Sequence, residues 1–210
     1  MSAAPRPYVT AHTAVSLDGA STGFEPDQAR FYELAATFGE DVTLAGADTI
    51  LAQEPALAGA PRPGPARDGP LLAVVDGRGR VREWRALREV GHWSDVLALH
   101  AAGTPPRAPD RAVDELVTGR ERVDLAAALA ELGRRGARRV RVDSGGALTG
   151  ALLRAGLVDE ISLLVHPVWS GDRGARRWYG EAGGPPGGLT LVANRSVGDS
   201  LVWLYYRTGS

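Results

Sequence analysis

The chain has 210 residues, 44% hydrophobic and 23% charged, with a net charge of -1 at pH 7. That balance suits one globular domain and gives no attraction for a nucleic acid or a membrane surface. Cysteine is absent, which excludes disulfides and CxxC zinc sites; lysine is absent too, so Schiff-base chemistry at a lysine is excluded. A cytoplasmic protein is expected, because MSAAPRPYVTAH lacks the apolar core of a secretory signal and no apolar run approaches bilayer length.

Tyr8 to Leu17 reads as a strand running into the turn Asp18-Gly19. Thr10, His12, Ala14, Ser16 and Asp18 share one face of it, and Val9, Ala11, Thr13, Val15 and Leu17 the other. Asp27 to Ala36 predicts a helix, and Val42 to Ala45 a short strand that gives way to Gly46-Ala47-Asp48-Thr49. Ala58 to Gly69, rich in proline and glycine, predicts a surface loop. The apolar runs Leu71 to Val75 and Val96 to Leu99 suit strands covered on both faces. The first closes on Asp76-Gly77-Arg78-Gly79-Arg80, the second on the loop Ala101 to Pro109.

Asp124 is placed as an N-cap, followed by Leu125, Ala128, Leu129 and Leu132 at i, i+3, i+4 and i+7. Gly136 stops that helix, and Glu131 is set to pair with Arg135. Arg139 to Asp143 alternates as a strand. Leu148, Ala151, Leu152 and Ala155 make the next helical stripe, closed by Gly156. Ile161 to Val165 predicts a strand, Glu181 to Gly188 a flexible loop, and Leu189 to Val197 with Leu201 to Tyr206 a closing antiparallel pair. The order indicates an α/β fold, a mostly parallel sheet with an antiparallel edge flanked by helices. A single domain over residues 1–210, its core about 7–208, is expected.

Four features carry chemistry. The strand running into Gly145-Gly146 and a helix suits a pyrophosphate held by bare backbone at a helix N-terminus. Its spacing, G-G-x-x-x-G from Gly145 to Gly150, is not a dinucleotide fingerprint, and a tight turn with no ligand fits it as well. Ser16 and Asp18 lie at the carboxyl end of the first strand, where ligands of α/β sheets bind. His12, with a nominal pKa of about 6.5, reads either as a core histidine or as a proton donor. Arg78 and Arg80 read either as a solvated turn or as partners for the 2′-phosphate of NADP. His12, His92, His100 and His166 show no metal-ligand spacing.

The stretches PYVTAHTAVSLDG, LAGADTILAQEPAL and DSGGALTGALLRAGLVDEISLLVHPVWSG together resemble the reductase domain of RibD riboflavin-biosynthesis proteins. That is the RibD C-terminal family, of dihydrofolate-reductase-like fold. The resemblance runs from about Pro7 to Gly171. It implies an NADPH-dependent oxidoreductase that converts a ribosylamino-pyrimidine phosphate to its ribitylamino form. It also implies a homodimer, with Ile161 to Val165 or Trp203 to Tyr206 as candidate pairing edges. NADPH contacts are implied at Val15, Gly46, Thr49, Gln53, Gly77, Arg78, Gly145, Gly146, Ala147, Leu148 and Thr149, with the pyrophosphate against the two glycines. Substrate contacts are implied at Ser16, Asp18, Leu57 and Ser144. Asp18 is the first candidate for catalysis, orienting a ribose hydroxyl or, with a raised pKa, giving a proton; His12 is the second, as an acid.

The departures fall on the substrate side. His12 stands where the family commonly has lysine, and Ser144 where it has glutamate. Ala36-Thr37-Phe38 replaces a stretch that usually carries an arginine for the substrate phosphate, and Gln53-Glu54 replaces two aspartates. Arg62 and Arg67 are candidates to supply the missing cation. The zinc deaminase that often accompanies this reductase is not expected, since its P-C-x-x-C motif needs cysteine. Three other readings stay open: a reductase of specialised metabolism with another heterocyclic or carbonyl substrate, a dihydrofolate reductase, and a non-catalytic nucleotide sensor.

Overall fold

A computed structural model describes residues 6–108, 113–171, 174–180, 187–198 and 200–209. In chain order the elements are β1 (Tyr8–Val15), α1 (Gln28–Ala35), β2 (Val42–Gly46), α2 (Ala47–Ala58), β3 (Leu71–Val75), α3 (Trp84–Glu89) and β4 (Asp95–His100). There follow β5 (Asp114–Val117), α4 (Leu125–Arg134), β6 (Arg139–Val142), α5 (Gly146–Arg154), β7 (Glu160–Val165), β8 (Leu189–Val197) and β9 (Leu201–Thr208). The chain divides into two units, one holding Glu40–Val140 and the other Tyr8–Gly39 with Arg141–Ser210.

In the first unit β2, β3, β4 and β5 pair in parallel. Their ends align, Gly46 against Val75, Val75 against Leu99 and Leu99 against Leu116. The apolar runs behave as their composition demands: Leu72, Ala73, Val74 and Val96 to Leu99 are buried, and Leu72, Val74, Val96 and Ala98 share one core with Ile50, Trp84 and Leu87. In α4 the Asp124 carboxylate accepts from the Ala127 N–H at 2.9 Å, while Ala128, Leu129 and Leu132 are buried and Arg135 meets Glu131 at 2.8 Å.

In the second unit β1 pairs with β7 in parallel, β7 with β9 and β9 with β8 antiparallel. Asp27 caps α1 by accepting from the Arg30 N–H. The architecture is therefore α/β with mostly parallel strands and an antiparallel margin. No helix among the described residues is long and apolar enough to cross a membrane.

Three elements were not expected from the sequence. α2 runs through Pro55, a residue that normally ends a helix. α3 has six residues, and its lead-in N–H groups at Arg82 and Glu83 donate to the Glu54 carboxylate, a partner from α2. β5 is a short charged strand. The expected pairing edges are corrected: β7 lies between β1 and β9, and β9 between β7 and β8, so neither is free along its length. Of the loop expected at Glu181 to Gly188, residues 181–186 lie outside the described residues.

Candidate active site

Where β1 ends, the chain folds into a tight ring. Gly19, with φ +78°, turns it so that the Ser16 N–H donates to the Ala20 carbonyl at 2.9 Å and the Ala20 N–H to Ser16 Oγ at 3.0 Å. The Ser16 hydroxyl donates to Asp18 Oδ1 at 2.7 Å. From beyond β7, the Ser170 N–H donates to Oδ1 at 3.1 Å and its hydroxyl to Oδ2 at 2.8 Å. These donors hold the Asp18 carboxyl down at about 2, well below its ordinary value near 3.9. Of the two roles expected of Asp18, the proton-giving one, which needs a raised pKa, is therefore corrected: at neutral pH it is an ionised, exposed and oriented acceptor. Ser170, 152 positions away, carries no sequence signal for this role.

His12 is 1% exposed. Its Nε2 lies 3.1 Å from the Phe31 carbonyl, which only accepts, so Nε2 carries the proton. Nδ1 lies 2.9 Å from Ser162 Oγ, which itself receives the Trp203 indole N–H at 2.8 Å. The consistent arrangement is Trp203 to Ser162, Ser162 to His12, His12 to Phe31, with the ring stacked on Phe31 at 4.2 Å. Both nitrogens are engaged in a sealed core. The expectation of a proton donor at His12 is corrected: burial and this network give it a structural task.

At the start of α5 the two glycines differ. Gly145 is the N-cap with extended backbone (φ -70°, ψ 179°) and no side-chain cap, and a Cβ built on it would meet nothing within 4 Å among the described residues. A Cβ on Gly146 would lie 2.0 Å from the Arg177 carbonyl oxygen and 2.6 Å from the Gly180 nitrogen. The chain itself, rather than a ligand, thus occupies the space that Gly146 leaves. Leu148 and Thr149 are buried, the Thr149 hydroxyl donating to the Ser144 carbonyl at 3.2 Å, and Ala147 is exposed. A carboxylate absent at Ser144 stands one residue earlier: Asp143 pairs with the buried Arg141 at 2.9 Å. Val15 is buried.

In the first unit the remaining candidates lie at or after the carboxyl ends of the parallel strands. Gly46 caps α2 and Thr49 and Gln53 follow it, half-buried. Leu57 is 8% exposed and packs with Val74, Trp84 and Leu87, so its expected substrate contact is replaced by a place in the core. Asp76, buried, accepts from the N–H groups of Arg80 and Val81 at 2.9 Å each and thereby shapes the loop that exposes Arg78. Gly77 is half-buried, its carbonyl held by the Thr104 hydroxyl at 3.0 Å. Arg80 pairs with Asp48 at 2.6 Å, and Arg62 with Glu89 at 3.6 Å.

A further cluster escaped sequence reading. The Arg107 guanidinium lies 4.5 Å over the Trp84 ring and donates to His100 Nε2, leaving His100 Nδ1 facing Glu115 at 3.6 Å. Burial, then the Arg107 charge, push the His100 pKa down, so this imidazole is neutral at pH 7. Among the described residues no group of three His, Asp or Glu side chains is placed to hold a metal ion.

The family model of the RibD C-terminal domain matches residues 7–202. The chain is 33% identical over 185 residues to the 2,5-diamino-6-ribosylamino-4(3H)-pyrimidinone 5′-phosphate reductase of Archaeoglobus fulgidus, covering 80% of this chain and 84% of that one. It is 31% identical over 182 residues to the enzyme of the same name from Methanothermobacter thermautotrophicus, covering 81% and 82%. Among solved structures it resembles a pyrimidine reductase-like protein from Corynebacterium diphtheriae, with a TM-score of 0.74 at 17% identity over 97% of this chain and 92% of that one. Riboflavin biosynthesis reductase Rib7 of Saccharomyces cerevisiae superposes with a TM-score of 0.70 at 20% identity, over 97% and 90%. These likenesses show a shared fold.

Proposed function

The chain belongs to the RibD C-terminal domain family and is an oxidoreductase; from that premise we propose that it is a cytoplasmic, homodimeric NADPH-dependent reductase of a ribosylamino-pyrimidine 5′-phosphate. The substrate follows the two archaeal relatives, whose names state it. The observation that carries the reading is the Asp18 carboxylate, ionised and fixed by three donors at the carboxyl end of β1.

Bound NADPH supplies the hydride that the anomeric carbon of the opened ribose accepts. Asp18 accepts a hydrogen bond from a ribose hydroxyl and so orients that carbon. A carboxyl with a pKa of about 2 does not deliver a proton at neutral pH, so the proton on the product nitrogen comes from elsewhere, solvent included. Gly145 fits a phosphate of the cofactor, since among the described residues nothing stands where its Cβ would be and a helix N-terminus favours an anion. Arg78, exposed beside Gly77, offers a guanidinium to a 2′-phosphate.

The test is a fluorescence titration with NADPH and NADH in parallel, then turnover of the pyrimidinone phosphate, followed by mass as a gain of two hydrogens. NADPH preference is expected, and Arg78→Ala should weaken NADPH by roughly 10–100-fold, the worth of one charge-assisted hydrogen bond. If neither nucleotide binds, the reductase reading is lost. Binding without hydride transfer to pyrimidines, carbonyls or dihydrofolate would make the protein a sensor.

A further inference from the structure

We propose that Gly146 and Gly150 are positioning residues: they seat the chain's own segment Arg176–Gly180 on α5, and that segment holds the loop carrying Asp18 in register. The inference rests on the role of Asp18 given above.

Gly146 and Gly150 are four residues apart and therefore share one face of α5, a turn apart. A Cβ on Gly146 would lie 2.0 Å from the Arg177 carbonyl oxygen, and a Cβ on Gly150 2.2 Å from that of Tyr179. In return, a Cβ on Gly180, where φ is +77°, would lie 2.7 Å from the Gly146 carbonyl oxygen. These are backbone-to-backbone approaches, so no side-chain rotation relieves them. Either the glycines stay or the segment moves.

The segment is bonded in turn to the turn after β1. The Ser21 N–H donates to the Arg176 carbonyl at 2.8 Å, and the Trp178 N–H to the Gly19 carbonyl at 3.3 Å. The Arg176 N–H donates to the Thr22 hydroxyl oxygen at 2.9 Å. Ala20 and Arg177 form an antiparallel bridge. Thus Gly19 to Thr22 is fixed on one side by its own ring with Ser16 and on the other by a strap whose seat is α5. Asp18 lies inside that arrangement. Displacing the strap shifts the loop, and a small shift of an orienting group costs far more than its contact area suggests.

The experiment compares Gly146→Ala and Gly150→Ala with the parent in three readouts. These are the KM for the pyrimidinone phosphate, the Kd for NADPH without substrate, and the titration of the Asp18 carboxyl by NMR. Expected are a KM raised roughly 10-fold or more, an NADPH Kd close to the parent's, and a carboxyl that titrates above the parent's value of about 2. Thr22→Val, an exposed change of nearly the same shape, removes one strap-to-loop bond without touching α5 and should move the KM and the titration in the same direction. It decides the matter if the alanine variants fail to fold. A raised NADPH Kd with KM and titration unmoved would overturn the proposal and return Gly146 to the cofactor. So would a Thr22→Val protein identical to the parent in KM and titration. Should the parent itself turn over no substrate, the titration still reads the strap: a shift in the variants upholds the linkage while the functional reading fails.

Discussion

At the scale of single residues, two polar side chains expected on one row of the first strand have opposite fates. Asp18 reaches the surface and meets three donors, whereas His12 is enclosed by Phe31 of α1 and, through Ser162 of β7, by Trp203 of β9. Alternation was legible for β1, which holds His12, but the strand ends at Val15 and Asp18 stands in the turn beyond it. Enclosure was not legible, because it depends on residues as distant as Trp203. His12→Phe removes the bonds to the Phe31 carbonyl and to the Ser162 hydroxyl, which keeps the Trp203 N–H, at about 0.5–1.5 kcal/mol for each bond lost. Thermal unfolding should therefore show a clear loss of stability, while the fraction still folded binds NADPH and turns over as the parent does. A fall in kcat at unchanged melting temperature would restore His12 as the acid.

At the scale of elements, the helices whose signals are local were readable and those whose signals are tertiary were not. α4 announces itself through Asp124 and a four-residue apolar stripe, and the structure keeps each part, including the Glu131 to Arg135 pair. α5 and its cap were readable in the same way, but the reason for Gly146 was not: its neighbours, Arg177 and Gly180, come from a segment some thirty residues on. α2 contradicts its own Pro55, and α3 depends on a carboxylate of α2. Packing supplies what propensity lacks there. The local signal at α4 has a measurable worth. Asp124→Ala removes the acceptor of the Ala127 N–H and should lower unfolding free energy by about 1 kcal/mol, a shift of roughly 2–4 °C in Tm for a chain of this size. A Tm unchanged within error would mean that packing of Leu129 and Leu132 alone sustains the helix.

At the scale of the molecule, both units obey one rule: the candidate residues collect at or just beyond the carboxyl ends of parallel strands, as in other α/β sheets. The margins of their sheets differ in kind. β5, beside β4, presents Asp114 and Glu115, charges that discourage strand addition. β8 is nine residues long, pairs among the described residues only with β9, and exposes Leu189, Leu191 and Val192 at 43%, 48% and 46%. The apolar first half of that edge, which carries a register shift between Leu191 and Ala193, can take another strand, and two copies related by a two-fold axis offer each other the same one. Such a pair, β8 against β8 antiparallel, is the dimer we expect, in place of one built on β7 or β9. Light scattering after size exclusion should give twice the chain mass of 22.1 kDa, and Leu191→Lys should return the protein to the monomer. A parent that already runs as a monomer at micromolar concentration would remove the dimer. A dimer indifferent to Leu191→Lys would move its interface off β8.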